Sequence, residues 1–371
     1  MRIAIDARKL RDYGIGTYVR NLLKQLAQQD QATEYVVLCQ DDDLASVGTL
    51  GPNFRAVSES SPGYSIREQV RVPLCVHREG ATLFHAPHYV LPPLTPCRTV
   101  VTIHDCIHLR FPQYLRSKLG YAYARAALWS ATHRAARVIT VSEASKRDIL
   151  RYFRVPESRI DVIHNAIDDR FRQAPAAEDM ERVRQRYQLN APFILYAGNI
   201  KPHKNLERLI ESFHLLRQDP ALKDVQLLII GDEISKYATL RRAVHRHKLH
   251  KHVRFFGFVS HETLATLYRL ADVFVFPSLY EGFGLPPLEA MASGTPVITS
   301  DVSSLPEIVG DAALLIDPTE PEAIADAMRR VLGDADLRAS LKARGLARAR
   351  AFSWERSIRR VREIYSEVLG G

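Results

Sequence analysis

Two glutamates, Glu281 and Glu289, lie eight positions apart in a segment that also contains two glycines and two consecutive prolines. Glycine lets a backbone approach a ligand closely, and proline is favoured in the first turn of a helix. The segment follows the apolar run Val273–Pro277, which is typical of a buried parallel strand. A strand, a glycine loop and a helix start form the arrangement with which open α/β sheets hold phosphorylated ligands. The two carboxylates add acceptors for sugar or ribose hydroxyls.

The spacing of the two glutamates disfavours a glycosidase. If all eight steps between them were helical, their Cα atoms would lie roughly 12 Å apart. The paired carboxyl groups of a retaining glycosidase lie about 5 Å apart, and those of an inverting one about 6.5–9.5 Å apart. The plainer alternative is one loop glutamate and one exposed helical glutamate that share no role.

A lysine, Lys204, follows an earlier predicted strand. The apolar run Phe193–Ala197 leads into a glycine turn, and a helix with apolar residues at helical spacing begins at Leu206. Asn205 is a residue type that commonly caps such a helix. A cation beside the positive end of a helix suits a diphosphate whose negative charge grows as it leaves. The plainer alternative is a surface lysine at a helix start.

The N-terminal half carries two weaker candidates. Gly14 and Gly16 form a predicted loop between the first strand and a helix, where a backbone can approach a phosphate, although a full dinucleotide fingerprint needs a third glycine. A tight turn is an equal alternative. His104 and Asp105 end another predicted strand, at the edge where a parallel sheet binds ligands. There His104 could hydrogen-bond a sugar hydroxyl and Asp105 could orient the imidazole ring, unless local backbone already satisfies the histidine.

Three consecutive aspartates, Asp41–Asp43, look like an acidic motif that holds a metal ion. They follow the second predicted strand, far in sequence from the phosphate elements, so we interpret them as an exposed turn. No group of His or Cys residues has metal-ligand spacing. The sequence therefore predicts neither a metal site nor a bound cofactor.

The elements that position these residues alternate between short apolar runs and longer helical stretches, which indicates parallel α/β sheets. Each half has enough strands for its own doubly wound sheet. The predicted strands are Arg2–Asp6, Tyr35–Cys39, Leu83–Ala86, Thr99–His104, Arg137–Ser142, Ile160–His164, Phe193–Ala197, Gln226–Gly231, Val253–Phe256, Val273–Pro277, Pro296–Ser300 and Ala313–Asp317. A length of 371 residues favours two domains, which we place at 1–168 and 169–352. An amphipathic helix within 353–371 is expected to pack back on the first domain.

The composition is that of a globular protein, with 46% hydrophobic and 25% charged residues. No run of about 18 or more uncharged apolar residues could span a bilayer. The first residues show no signal-peptide core, and the four cysteines are scattered without metal or redox spacing. These features predict a cytoplasmic protein.

The net charge of +9 is concentrated in one segment. From Arg110 to Arg154 there are ten Arg or Lys residues and two acidic residues, a local net of +8. Part of it, about Gln113–Arg137, is helical in character and carries tyrosine, leucine and tryptophan. Basic residues among interfacial aromatics suit anionic lipid headgroups, which makes 110–154 a candidate membrane surface. On charge alone nucleic acid is an alternative partner, and a solvated basic face is the plainer interpretation.

Together these elements resemble retaining glycosyltransferase family 4, whose members have the GT-B fold of two Rossmann-like domains facing a central cleft. The resemblance covers nearly the whole chain. It rests on six segments in this order: Gly14–Gly16, Thr102–Asp105, Asn165–Asp168, Gly198–Asn205, Glu281–Glu289 and Pro306–Gly310. The fold class that it implies is α/β, with an acceptor-side N-terminal domain and a nucleotide-sugar-binding C-terminal domain.

The resemblance implies a set of residues around the transferred sugar. Glu281 would face that sugar, and His104 with Asp105 would contact it near the reacting carbon. Backbone N–H groups of three further residues would bind its hydroxyls, namely Gly282, Phe283 and Gly284. Glu281, Lys204 and His104 are thereby the candidate catalytic residues.

The resemblance also implies contacts with the rest of the donor. Lys204 would bind the diphosphate, and the Gly14–Gly16 loop would close over it. Glu289 would bind the nucleotide ribose. Many family members carry an arginine at the position where this sequence has Asn199, so one expected diphosphate cation is missing and the contact there would come from an amide. Lys201 is an alternative cation, although its spacing differs.

The activity that the resemblance implies is hexose transfer from a nucleotide donor, with retention of configuration and without a metal. Mannose from GDP-mannose is the leading expectation, and the acceptor would be a glycan or lipid-linked saccharide of O-antigen or lipopolysaccharide synthesis. The protein would then lie on the inner face of the cytoplasmic membrane, without a nucleic-acid partner. Alternatives are transfer from UDP-glucose or UDP-N-acetylglucosamine, a sugar-nucleotide epimerase on the same fold, and a non-catalytic protein that binds lipid or nucleic acid.

Overall fold

The computed structural model describes residues 1–12, 14–115, 117–231 and 236–370. The chain divides into two compact units. The first consists of Met1–Ala166 together with Ser353–Gly371, and the second of Ile167–Phe352. Each unit has its own parallel sheet with flanking helices.

The first unit contains a sheet of seven parallel strands. Their bounds are β1 Arg2–Asp6, β2 Glu34–Cys39, β3 Phe54–Ser58, β4 Leu83–Ala86, β5 Arg98–Ile103, β6 Arg137–Thr140 and β7 Ile160–Val162. The spatial order is β3-β2-β1-β4-β5-β6-β7, so the direction of winding reverses between β1 and β4. The six strands predicted in this half are confirmed, with ends that move by two residues or fewer. The edge strand β3 was not predicted.

The second unit contains a sheet of six parallel strands. Their bounds are β8 Phe193–Ala197, β9 Gln226–Ile230, β10 Val253–Phe255, β11 Val273–Phe276, β12 Val297–Ser300 and β13 Leu314–Ile316. The order is β10-β9-β8-β11-β12-β13, so this sheet reverses between β8 and β11. All six strands were predicted. Both sheets are therefore doubly wound, and the carboxyl ends of the strands at each reversal mark the expected ligand site.

Helices cover both faces of the two sheets. Their bounds are α1 Gly14–Gln29, α2 Leu44–Gly48, α3 Ile66–Arg78, α4 Ile107–Arg110, α5 Lys118–Arg134, α6 Glu143–Tyr152, α7 Ala177–Tyr187, α8 Leu206–Leu216, α9 Ala238–Arg246, α10 His261–Leu270, α11 Leu285–Ala292, α12 Leu305–Val309, α13 Pro321–Gly333, α14 Ala335–Arg350 and α15 Trp354–Gly370. Serines cap several of them: the side chains of Ser65, Ser117 and Ser142 each accept a hydrogen bond from a backbone N–H three residues further on.

The C-terminal helix α15 belongs to the first unit and packs against α1. Its apolar stripe is buried there, from Trp354 to Val368. The hydroxyl of Tyr365 lies 2.6 Å from Nδ1 of the buried His85, whose Nε2 lies 2.8 Å from the hydroxyl oxygen of Thr102. Burial lowers the pKa of His85 to about 3, so this histidine is a neutral connector between helix and sheet.

Two local predictions in the first unit were right only in part. The helix expected over Gln113–Arg137 begins only at Lys118, because Pro112–Tyr114 forms a separate 3-10 turn. Asp41–Asp43 also form a 3-10 turn, in which the third aspartate is only 4% exposed. Arg11 explains that burial, since its Nε donates to Oδ1 of Asp43 at 2.9 Å.

Candidate active site

Lys204 and Glu281 meet at the reversal point of the second sheet. The chain leaves β8 and reaches Lys204 through the 3-10 turn Pro202–Lys204, and it leaves β11 shortly before Glu281. Nζ of Lys204 lies 2.5 Å from Oε1 of Glu281, and the two side chains are 10% and 12% exposed. The sequence analysis assigned separate roles to these residues. The structure adds that they form one largely buried ion pair.

Aromatic rings lie beneath this ion pair. Nζ of Lys204 is 5.2 Å from the ring centroid of Phe276, a favourable cation–π position. The ring of Phe276 stacks on Tyr196, whose hydroxyl donates to the backbone carbonyl of Asn199 at 3.1 Å. The amide oxygen of Asn199 is buried and has no hydrogen-bond partner among the described residues. An amide oxygen only accepts hydrogen bonds, so this atom suits a ligand hydroxyl or N–H and not a diphosphate oxygen, and the diphosphate contact predicted for Asn199 stays a prediction.

Asn205 occupies the N-cap position of helix α8, as predicted, but its side chain makes no capping hydrogen bond. Its backbone is left-handed, with φ +63°, a conformation that asparagine tolerates better than most residues. Its amide nitrogen donates to the carbonyls of Pro277 at 3.1 Å and Pro318 at 2.6 Å. Asn205 thus ties the start of α8 to the end of β11, which fixes Lys204 relative to the Glu281 segment.

Two serines that the sequence analysis missed hold the Glu281 loop. Oγ of Ser303 donates to the carbonyl of Glu281 at 2.6 Å, and Oγ of Ser304 donates to the carbonyl of Phe283 at 2.8 Å. Both serines follow β12, the neighbour of β11 in the sheet. The signal that could have found them is this position after the adjacent strand, next to the Pro306–Gly310 segment.

Gly282, Phe283 and Gly284 connect this loop to helix α11, which begins at Leu285. Gly284 has φ +109°, and a Cβ there would lie 2.8 Å from a methyl group of Leu305. Only glycine satisfies both constraints. The loop before α11 therefore has a backbone conformation that requires glycine at position 284.

Glu289 lies on α11 within a set of groups that the sequence analysis did not connect with it. The hydroxyl of Tyr268 donates to Oε2 of Glu289 at 3.2 Å. Burial raises the pKa of Glu289 to about 7, and the negative charge of Asp168 adds to the rise, while the Tyr268 hydrogen bond and the charge of Arg170 oppose it. Nε of Arg170 lies 2.9 Å from Oδ1 of Asp168. Glu289 therefore changes charge close to neutral pH.

His104 lies in the first unit, at the end of β5, and its environment corrects one prediction. Its Nε2 donates to the carbonyl of Pro87 at 3.0 Å, and its ring meets the edge of Tyr18 at 5.1 Å. Burial lowers the pKa of His104, so the ring is neutral and Nδ1 is an acceptor. Asp105 instead accepts the backbone N–H of Ile107 at 2.9 Å. Pro87 and Tyr18, and not Asp105, orient the imidazole.

The sequence analysis predicted that Gly14 and Gly16 form a loop before a helix. Instead, both lie in the first turn of α1. A Cβ on Gly16 would lie 2.5 Å from the carbonyl oxygen of Leu10, so this glycine permits close packing within the chain. A Cβ on Gly14 would meet no described atom within 4 Å. The phosphate contact predicted for these two glycines stays a prediction.

Comparison with known proteins identifies the family. Residues 13–171 match the model described as Glycosyltransferase Family 4, and residues 178–348 match the one described as Glycosyl transferases group 1. The O-antigen chain mannosyltransferase B of Escherichia coli is 37% identical over 274 residues, which are 74% of this chain and 71% of that relative. The chain belongs to this glycosyltransferase family.

Two further comparisons describe the glycosyltransferase. The serotype-specific mannosyltransferase WbdA of Escherichia coli is 29% identical over 286 residues, which are 74% of this chain but 34% of that relative. The structure of the Anabaena protein HepE with UDP-glucose superposes with a TM-score of 0.81 at 19% identity, over 99% of this chain and 100% of that one. The two doubly wound sheets thus have the GT-B architecture that the sequence predicted.

The arrangement in the second unit suits a leaving group with growing negative charge. A lysine, a nearby carboxylate and the N-terminus of α11 converge at the reversal of the sheet. Among the residues that the structure describes, no three His, Cys, Asp or Glu side chains are placed to hold a metal ion. Cationic stabilisation at this point can come from Lys204 and the helix N-terminus.

Proposed function

We propose that the glycosyltransferase moves mannose from GDP-mannose to a saccharide acceptor of cell-surface polysaccharide synthesis, with retention of configuration. The observation that carries the proposal is the buried Lys204–Glu281 pair at the reversal of the second sheet. The choice of sugar is supported by two relatives, at 37% and 29% identity, that are named as mannosyltransferases. The O-antigen name of the first supports a glycan or lipid-linked saccharide as the acceptor.

In this proposal the donor diphosphate binds Lys204, and the helix N-terminus of α11 shares its charge. As the sugar–phosphate bond breaks, the sugar becomes oxocarbenium-like and the diphosphate gains negative charge, which Lys204 stabilises. Glu281 then accepts hydrogen bonds from hydroxyls of the transferred sugar, and Glu289 accepts them from the ribose. The acceptor hydroxyl oxygen bonds to the anomeric carbon on the face that the diphosphate leaves, and a donor phosphate oxygen takes the proton of that hydroxyl. Glu281 is not a nucleophile in this scheme, since its carboxylate serves as an acceptor for sugar hydroxyls.

A different donor is the second candidate, since HepE was solved with UDP-glucose. A donor screen separates the two. We expect GDP-mannose and GDP to raise the melting temperature more than UDP-glucose, UDP-N-acetylglucosamine and UDP. At about 100 times the dissociation constant, a bound donor stabilises the protein by about 2.7 kcal/mol, which corresponds to several degrees. A larger shift with the uridine compounds would replace the sugar assignment, and no shift with any donor would contradict the donor site.

The same screen tests the proposal that no metal is needed. Slow hydrolysis of GDP-mannose, followed as free mannose, should continue unchanged in excess EDTA. A loss of hydrolysis that Mg²⁺ or Mn²⁺ restores would contradict metal-free transfer.

We also propose that the first unit docks on an anionic membrane surface. Eleven large apolar side chains of the described residues are exposed, and five of them lie on α3 and α5: Ile66, Val70, Leu74, Leu119 and Trp129. Those on α3 are spaced by four residues and so lie on one face. The two helices touch, since Nε2 of Gln69 lies 3.4 Å from the hydroxyl of Tyr123. No described helix is long and apolar enough to cross a membrane.

The structure supports only part of the basic segment 110–154 as this surface. Arg137 forms an ion pair with Asp161 at 2.6 Å, and Lys146 forms one with Glu157 at 2.9 Å, so acidic residues outside the segment compensate both. Lys118 and Arg125 are exposed on α5 itself. Arg116, another basic residue of this segment, lies outside the described residues.

Liposome binding tests the membrane surface. Replacing Lys118 and Arg125 with Ser should weaken binding to vesicles that contain phosphatidylglycerol, by about 1 kcal/mol for each charge at low salt. Replacing Leu119 and Trp129 with Ser should weaken binding with little dependence on salt. The matched control is Phe258→Ser, which removes a 74% exposed apolar side chain from the second unit. Unchanged binding in both double variants would show that α5 is a solvated basic face and not a membrane surface.

A further inference from the structure

Three tyrosines form a cluster at the carboxyl edge of the first sheet. Tyr64 follows β3, Tyr89 follows β4, and Tyr123 lies on α5, which follows β5. The ring centroid of Tyr64 is 6.1 Å from that of Tyr89 and 6.0 Å from that of Tyr123, which it meets edge-on at 83°. No role in donor binding uses these residues. We call Tyr64, Tyr89 and Tyr123 the tyrosine cluster.

The tyrosine cluster is open to a ligand and carries polar groups at its margin. Tyr64 is 47% exposed, unusually high for a tyrosine that also contacts two other rings. Nζ of Lys9 lies 4.9 Å from its ring centroid. The ring of His108 lies 6.1 Å from that of Tyr89. Aromatic rings and hydrogen-bonding side chains therefore lie close together in the tyrosine cluster.

A buried chain of charges holds Tyr64 in a strained conformation. Its φ is +63°, which is rare for a bulky residue. Its backbone N–H donates to Oε1 of Glu68 at 2.7 Å. The other oxygen of Glu68 lies 3.3 Å from Arg8, which also binds Asp6 at 2.6 Å, and all three side chains are at most 5% exposed. Strain that the surrounding structure enforces is typical of residues that position a ligand.

The tyrosine cluster also adjoins the histidine that we place next to the transferred sugar. The carbonyl that binds His104 belongs to Pro87, two residues before Tyr89. Tyr89 therefore follows β4 and His104 follows β5, at the carboxyl ends of two adjacent strands. This is the edge of a parallel sheet at which ligands bind.

We propose that the tyrosine cluster binds the acceptor saccharide by stacking of its sugar rings on Tyr64 and Tyr89. The C–H faces of a pyranose are apolar and slightly positive, so they suit the negative face of an aromatic ring. Lys9 and His108, at the margin of the cluster, supply partners for the sugar hydroxyls. This proposal rests on the proposed function, because it names the acceptor of that reaction.

The charge of the site favours a neutral saccharide over a phosphate group. Lys9 is the cation in contact with Tyr64, and its Nζ already lies 3.1 Å from Oδ2 of Asp12. Arg8 is compensated by two carboxylates. An anionic headgroup would therefore find little uncompensated positive charge here, whereas stacking on rings needs none.

Titration with α-(1→2)- and α-(1→3)-mannotriose, by calorimetry and saturation-transfer NMR, tests the proposal. We expect Tyr64→Ala to weaken binding of at least one trisaccharide by about three- to tenfold, and Tyr64→Phe to bind as the wild type does. Tyr64→Leu keeps bulk without an aromatic ring and should behave like Tyr64→Ala, which separates stacking from loss of volume. The matched control is Tyr114→Ala, which removes a tyrosine that stacks on Phe111 outside the tyrosine cluster.

The melting-temperature shift with GDP-mannose is measured on the same samples. A normal shift with weaker trisaccharide binding in Tyr64→Ala and Tyr64→Leu supports the acceptor site. A normal shift with unchanged trisaccharide binding in both variants, or with no trisaccharide binding by the wild type, overturns it while the donor site stands. Absence of the shift in the wild type contradicts the proposed donor instead.

Discussion

Replacing Lys204 with alanine is expected to lower kcat/KM for sugar transfer by about 10²- to 10³-fold, the loss typical of removing one group that stabilises developing charge. The lysine is the cation that reaches the reversal of the second sheet, and it is held there by the ion pair with Glu281 and by the ring of Phe276. Lys204→Arg keeps the charge but changes its position, so we expect partial activity. The matched control is the exposed Lys223, whose replacement by alanine should leave transfer unchanged.

A second variant decides how the loss in Lys204→Ala arises. Removing the lysine leaves the largely buried Glu281 without its ion-pair partner, which could itself disturb the site. In Lys204→Ala with Glu281→Gln that unpaired charge is absent. If cationic stabilisation of the diphosphate is the cause, the double variant stays as inactive as Lys204→Ala. Recovery of transfer in the double variant would show that Lys204 acts by balancing Glu281 and not by binding the donor.

Glu281→Gln alone completes the comparison. It keeps the shape of the side chain but removes the negative charge that competes with the donor for Lys204. We therefore expect GDP-mannose to bind at least as tightly as to the wild type, while transfer falls because an amide accepts fewer sugar hydrogen bonds. The split between donor affinity and turnover distinguishes a sugar contact from a residue that only positions Lys204.

The strands were predictable where they are buried on both faces and flanked by turns. The four inner strands of the second sheet are almost fully buried, and its two edge strands, β10 and β13, lie beside or within short apolar runs. The sequence revealed all six. β3 was missed because it is an edge strand of five residues in which only Phe54 and Val57 are buried. Without a longer apolar run, its sequence resembles a loop. Burial of one strand face leaves a weaker signal than burial of two.

The candidate site was predictable in its residues but not in its contacts. Lys204 and Glu281 are 77 residues apart in sequence and follow different strands, β8 and β11. Only the strand order of the sheet places these two strands side by side. Asn205 looked like a helix cap because its type and position fit one, but its side-chain oxygen accepts from Nη1 of Arg208 and its amide nitrogen donates to two carbonyls. Ser303, Tyr268 and Asp168 reach the site through tertiary packing, which leaves no local pattern in the sequence.

The second large effect expected is a pH dependence of donor affinity that comes from Glu289. Burial raises the pKa of this carboxyl to about 7, so half of the molecules carry a protonated Glu289 at that pH. A protonated carboxyl has fewer acceptor sites for the two ribose hydroxyls. The dissociation constant of GDP-mannose should therefore rise as pH falls below 7, by up to about tenfold for each pH unit. Glu289→Gln should bind weakly at every pH and lose this dependence.

The stability of the donor-free protein against unfolding should instead decrease as pH rises. The pKa of Glu289 is raised above its usual 4.5, so the folded state binds a proton that the unfolded state releases between those pH values. Its stabilising contribution is complete below about pH 4.5 and is lost as pH rises through about 7. Urea unfolding at these two pH values, for the wild type and Glu289→Gln, isolates the contribution of this one carboxyl.

Substitutions of two neighbours of Glu289 should shift the pH midpoint of donor binding in opposite directions. Tyr268→Phe removes a hydrogen bond that favours the carboxylate, so the pKa of Glu289 rises and tight binding begins at higher pH. Asp168→Asn removes a negative charge that opposes the carboxylate, and the charge of Arg170 then acts on Glu289 with less compensation. The midpoint should therefore fall. Midpoints that stay fixed in both variants would show that another group titrates, and that Glu289 does not hold the ribose.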